Sequence, residues 1–251
     1  MQHVDILAIG AHPDDVELGC AGTMLVAKNA GKRTAIVDLT RGELSTRGNL
    51  ETRERETRAA TAILQLDARY NLGLADGNVE VTERNTLALI KYIRLLTPTI
   101  LLIPSSAERH PDHEDGARLA RRAAYYAGLA KIVTKDDAGK DQQRHRPLMV
   151  LEYMQTQVFE AKVVVDVSAV FEDRMRAVGA YATQFGRSQT GEEIPSKEPQ
   201  TFLTQAGYFE WIEARARTYG MMIGVQYGEP FWSKEPLGVR DLFSLVTRTV
   251  S

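Results

Sequence analysis

Apolar positions in this chain come in two textures: short uninterrupted runs of strand length, and longer stretches in which apolar residues recur three and four apart. Val4, Ile6, Leu7, Ala8 and Ile9 form the first run, of the kind that a parallel strand covered on both faces has, and Gly10 lets the chain turn as it leaves. Gly22 to Ala30 reads as a short helix closed by Gly31, and Thr34 to Leu39 as a second strand, completing a βαβ unit. Glu51 to Leu66 is a helix with its charges in the first half, Ala68 to Leu72 a third strand, and Thr82 to Leu96 a helix stopped by Pro98. Thr99 to Pro104 is the most apolar run after the first and reads as a central strand, followed by an alanine-rich helix from Asp115 to about Ala127. Lys131 to Arg146 is a polar loop, Leu148 to Tyr153 and Val163 to Val167 are strands, and Phe171 to Ala182 is a helix. Phe185 to Gln200 has the Gly, Ser, Pro and charge content of a long surface loop or a lid. Leu203 to Tyr219 is a last helix, and Met221 to Val225 with Phe231, Trp232, Leu237, Leu242 and Phe243 makes an apolar tail suited to the core or to a subunit interface. Strand and helix signals alternating in this way predict an α/β protein: a Rossmann-like, doubly wound, mostly parallel sheet with helices on both faces, in one domain spanning 1–251.

Composition narrows the classes of function. At 251 residues and 43% hydrophobic content the chain can bury a full core. Its 31 basic and 33 acidic residues leave a net charge of -2, which argues against a nucleic acid or an anionic membrane as partner. The first apolar run is short and carries Asp5, and no later run approaches the ~18 apolar residues of a membrane span, so the expected location is cytoplasmic. A single cysteine, Cys20, excludes an internal disulfide and a cysteine-based zinc site, and is expected as a small buried apolar residue.

Chemistry concentrates where strands end. His12, Asp14 and Asp15 follow the first strand, with Pro13 stiffening the loop; taken alone, either acid could simply cap the next helix. Gly10, Gly19 and Gly22 have the wrong spacing for a dinucleotide fingerprint, and Asp38 reads as a loop-capping acid. The polar loop Thr40 to Leu50 lies on the same rim and is a candidate substrate loop, with Arg53 one turn into the following helix. A second cluster, Glu108-Arg109-His110-Pro111-Asp112-His113, follows the Thr99 to Pro104 strand. In a sheet of order 3-2-1-4-5 the first and fourth strands are neighbours at the switch point, so the two His/Asp clusters face each other across the expected ligand crevice.

These residues carry a resemblance. AHPDD followed by E-x-G, the T-R-G-E loop, R-x-x-E and R-H-P-D-H resemble the LmbE/PIG-L family of zinc-dependent N-acetylglucosaminyl deacetylases, and V-D-V-S, A-Y-x-x-Q-F, G-Y-x-E-x-I-x-A-R and S-K-x-P-L-x-V-x-D-L-F are similar to its bacillithiol-biosynthesis branch. One departure is HPDDVE where many relatives have HPDDE, which shifts Glu17 by one as in that branch. The resemblance implies hydrolysis of the acetamide of N-acetylglucosaminyl malate, one Zn2+ per chain, and a homo-oligomer such as a hexamer. The residues suit that chemistry: His12, Asp15 and His113 supply two imidazoles and a carboxylate and leave a coordination position open. Asp14, a non-ligand by the resemblance, is the candidate general base, His110 the candidate oxyanion stabiliser, and Asp112 the candidate partner of the His110 ring, with helix capping as its alternative. Arg53 and Arg109 are candidates for an anionic aglycone, against structural roles for each. His3 and His145 belong to no cluster. The rival readings are a deacetylase or amidase of another N-acetylglucosamine or thiol-sugar conjugate, a metallophosphoesterase, and a nucleotide-binding module without chemistry.

Overall fold

A computed structural model describes residues 3–187 and 197–247. Its strands are β1 (Ile6–Gly10), β2 (Thr34–Thr40), β3 (Ala68–Leu74), β4 (Ile100–Ile103), β5 (Met149–Tyr153), β6 (Val163–Asp166) and β7 (Gly228–Trp232). They form one sheet of order β3-β2-β1-β4-β5-β7-β6, parallel from β3 to β5 and antiparallel at β7. The helices are α1 (Asp15–Asn29), α2 (Leu50–Ile63), α3 (Glu83–Leu96), α4 (Pro111–Ala127), α5 (Phe171–Gly179), α6 (Ala182–Phe185) and α7 (Tyr208–Ile223).

The expected α/β architecture and the 3-2-1-4-5 order are present. Every residue of β1 is buried, Ile6 and Ala8 packing with α1 and α5 on one face, Leu7 and Ile9 with α3 and α4 on the other. That double burial is why the run shows no polar alternation. Cys20 is buried, as expected, and no described helix is long and apolar enough to cross a membrane.

Several boundaries differ from the sequence reading. The first helix starts at Asp15 rather than Gly22, and breaks at Cys20 (φ -151°, ψ 21°). Side chains satisfy the groups released at the break: Gly22 and Thr23 N–H donate to Glu229 (2.9 and 2.7 Å), and Leu18 O accepts from Arg174 and Arg215 (2.8 Å each). Gly19 packs on the Tyr153 ring, where a Cβ would fall 2.2 Å from a ring carbon. The fourth helix begins at Pro111 rather than Asp115, because His110 serves as its N-cap and proline suits the first helical position. The expected Phe171 to Ala182 helix ends at Gly179, and the last helix runs Tyr208–Ile223 rather than Leu203 to Tyr219. β7 was hidden in the apolar tail, its sequence GEPFW offering no alternation. Pro230 is tolerated there because pairing with β5 involves only Phe231 and Trp232. The tail divides: Phe231 is core, whereas Leu242 and Phe243 are exposed. Most of the 185–200 lid expectation lies outside the described residues.

Candidate active site

β1 and β4 are adjacent and parallel, Ile6 opposite Ile100 and Ala8 opposite Leu102, so the two His/Asp clusters leave the sheet side by side. Three imidazoles converge, with ring centroids 4.8 Å apart for His12 and His110, 5.4 Å for His12 and His113, and 5.2 Å for His110 and His113. One donor atom from each of His12, Asp15 and His113 lies within 4.8 Å of the others. His113 Nε2 is 3.2 Å from Asp15 Oδ1, and His12 Nδ1 is 3.6 Å from Asp15 Oδ2. Asp15 is held from behind by the His12 N–H on Oδ2 and the Gln155 amide on Oδ1, each at 2.8 Å. Two imidazoles and a braced carboxylate with donor atoms this close together fit a divalent cation. A second set, His12, His110 and Asp112, also lies within 4.8 Å. It shares His12 with the first, so filling both at once would need that ring as a bridging imidazolate.

Asp14 stands beside this set in a backbone conformation unusual for a non-glycine residue, φ 133° and ψ -20°. It is buried, and its Oδ2 accepts from Arg53 Nη1 at 2.9 Å. Burial pushes the Asp14 carboxyl up to about 7; the Arg53 guanidinium opposes this and the Asp15 carboxylate reinforces it. Arg53 itself is buried, unlike Glu51, Glu54, Arg55 and Arg58 on the solvated face of α2. Beyond Asp14 it donates to Pro13 O and to Ser45 Oγ, which brings the 41–49 loop to the site.

His110 Nδ1 accepts from the Asp112 N–H at 3.2 Å, so a neutral ring carries its proton on Nε2. Burial holds the His110 imidazolium below its ordinary range, and His12 and His113 add to this. An Asp112 carboxylate oxygen lies within 4.8 Å of a His110 ring nitrogen, but the described hydrogen bonds it accepts come from other groups. The carboxylate accepts from Gly77 N (2.7 Å) and Val79 N (3.3 Å) and lies 3.4 Å from His12 Nε2, because the first turn of α4 aims it at the β3–α3 connection. Arg109 is exposed, its guanidinium 4.4 Å from the Phe202 ring centroid. Glu108 accepts the backbone N–H groups of Arg109, Thr156 and Gln157.

A cleft of about 360 Å³ collects His12, Asp14, Asp15, Arg53, Arg109, His110 and His113. The sequence reading missed Asp76, Gln155 and Tyr208, which also line it. Asp76 and Gln155 follow β3 and β5 on the same rim, and that position was their only signal. Asp38 is no loop cap: it binds Arg69 through both oxygens (2.8 and 3.0 Å), and Arg69 also reaches Glu17 at 2.7 Å. His3 and His145 are structural, contacting Thr97 O (2.9 Å) and Pro98 O (2.7 Å).

Comparison with known proteins points the same way. The PIG-L family model, described as GlcNAc-PI de-N-acetylase, matches residues 7–124. The diacetylchitobiose deacetylase of Thermococcus kodakarensis is 29% identical over 192 residues, 72% of this chain and 70% of that one. The crystal structure of the conserved protein TT1542 from Thermus thermophilus superposes with a TM-score of 0.81 at 36% identity, over 95% of this chain and 98% of that one. GalB, the 4-carboxy-2-hydroxymuconate hydratase from Pseudomonas putida, reaches a TM-score of 0.74 at 16% identity over 96% of this chain and all of that one; at that distance the likeness is one of fold alone.

Proposed function

We propose that the chain is a member of the PIG-L family and a zinc-dependent hydrolase, acting as one domain, that removes the acetyl group from an N-acetylated amino sugar. The substrate we name is N-acetylglucosaminyl malate, following the resemblance to the bacillithiol branch. The observation that carries the reading is the convergence of His12, Asp15 and His113 beside a buried carboxylate, Asp14, that is tied to Arg53 rather than to the donor set.

When bound, the cation supplies Lewis acidity and lowers the pKa of water toward about 7. Asp14 accepts the proton of the attacking water and returns it to the leaving amine, with Arg53 fixing its orientation. His110 presents Nε2–H to the developing oxyanion, since its Nδ1 is already engaged. Gln155 and the His12 N–H keep both oxygens of Asp15 in place. Arg109 is the cation free to meet a malate carboxylate; Arg53, the other candidate, is committed to Asp14 and Ser45.

The test is release of free amine and acetate from N-acetylglucosaminyl malate, alongside N-acetylglucosamine and thiol-sugar conjugates, with zinc counted per chain. One zinc and amine release from the malate conjugate are expected. A chain that holds no metal and releases no amine from any member of the panel would sink the reading.

A further inference from the structure

Asp76 belongs to no motif, yet it makes the closest side-chain contact to His12 in the site. It lies in the turn after β3, its Oδ1 3.0 Å from His12 Nε2, with only 7% of its side chain exposed. Its Oδ2 accepts the Leu44 N–H at 2.7 Å, and its own N–H donates to Glu43 Oε1 at 2.9 Å. Both contacts tie it to the loop that carries Ser45.

A neutral imidazole has one N–H and one lone pair. A carboxylate 3.0 Å from Nε2 draws the proton there, because the opposite tautomer would set a lone pair against an anionic oxygen. The free lone pair is then on Nδ1, the nitrogen that faces Asp15. Asp112 also approaches Nε2, at 3.4 Å, while its oxygens accept the Gly77 and Val79 N–H. Both carboxylates favour the proton on Nε2, and Asp76 is the nearer of the two.

We propose that Asp76 is a positioning residue for the cation site: it fixes the tautomer and orientation of His12 so that Nδ1 is available as a ligand. This rests on the metal-dependent reading above. Outer partners of this kind change metal affinity by roughly 10- to 100-fold when removed.

The decisive variant is Asp76→Asn, which matches the carboxylate in shape. Its Oδ1 can still accept the Leu44 N–H, and its NH2 then meets His12 Nε2 and favours the wrong tautomer. Zinc affinity is measured by competition with a chromophoric chelator, the His12 tautomer by imidazole 15N shifts, and the melting temperature in excess chelator. The expected result is a zinc Kd weaker by about 10- to 100-fold, with the 15N pattern of His12 exchanged. Asp76→Ala should weaken zinc as well, and where it fails to fold the asparagine variant decides. An asparagine variant with wild-type zinc affinity would overturn this proposal and leave the deacetylase reading standing, even if its melting temperature had dropped. A wild-type chain that binds no zinc would overturn both.

Discussion

Replacing Arg53 should damage catalysis on every substrate, charged or neutral. The sequence put Arg53 and Arg109 in one class, as receptors for an anionic aglycone, but their surroundings separate them. Arg53 and Asp14 form a pair at 2.9 Å with 7% and 8% of their side chains exposed. Arg53→Ala leaves the Asp14 carboxylate buried without its counter-charge and frees Ser45. Breaking such a buried pair costs about 3–5 kcal/mol. If about 3 kcal/mol of that falls on the transition state, kcat/KM drops by roughly 10²-fold. Arg53→Lys keeps the charge but cannot serve Asp14, Pro13 O and Ser45 at once, so about a tenfold loss is expected. Arg109→Ala should cost about 1.5–3 kcal/mol on N-acetylglucosaminyl malate and much less on N-acetylglucosamine. The assay is free-amine release from both substrates by each variant. An Arg53→Ala enzyme that loses the malate conjugate but keeps N-acetylglucosamine at the wild-type rate would show that Arg53 binds the aglycone and does not hold Asp14.

Three further outcomes are open to measurement. Asp14→Asn should retain zinc by elemental analysis while kcat falls about 10²- to 10⁴-fold, whereas His113→Ala should lose the metal; a metal-free Asp14→Asn protein would make Asp14 a ligand. Glu229→Ala strands the N–H groups of Gly22 and Thr23 and leaves Arg174 unpaired, so a loss of about 3 kcal/mol and a melting temperature lower by roughly 6–12 °C are expected. Burial opposes ionisation of Asp67, but the Lys28 ammonium and Thr34 N–H outweigh it and hold the carboxyl below its ordinary range. That stabilisation is complete above the unfolded pKa of about 3.9 and fades as pH falls through the lower folded value. Asp67→Asn should therefore cost about 1–2 kcal/mol at pH 7, with the difference from wild type shrinking below pH 4 in urea titrations.

How much of this was legible in the sequence depended on whether a feature had a local cause. β1 and β4 could be read because strands buried on both faces are continuous apolar runs, and their adjacency followed from the switch-point rule. That adjacency brought His12, Asp15 and His113 together from two separate motifs. β7 could not be read, because GEPFW becomes a strand only by pairing with β6 and the end of β5. The α1 boundary failed for a related reason: the helix survives a break at Cys20 only because Glu229, Arg174 and Arg215, about 150 to 200 residues away, satisfy the released backbone groups. Asp112 shows the limit inside a motif. Its place in R-H-P-D-H says that it sits beside His110, but moving the helix start from Asp115 to Pro111 puts it in the first turn, facing Gly77, Val79 and His12. Asp76 and Gln155 are the complement: isolated polar residues with no motif, placed on the rim only because β3 and β5 end there. On this sheet the converging His and Asp residues come from motifs at the central strands, and Asp76 and Gln155, which contact them, come from neighbouring strand ends. Motif matching finds the first set, and only the topology reveals the second.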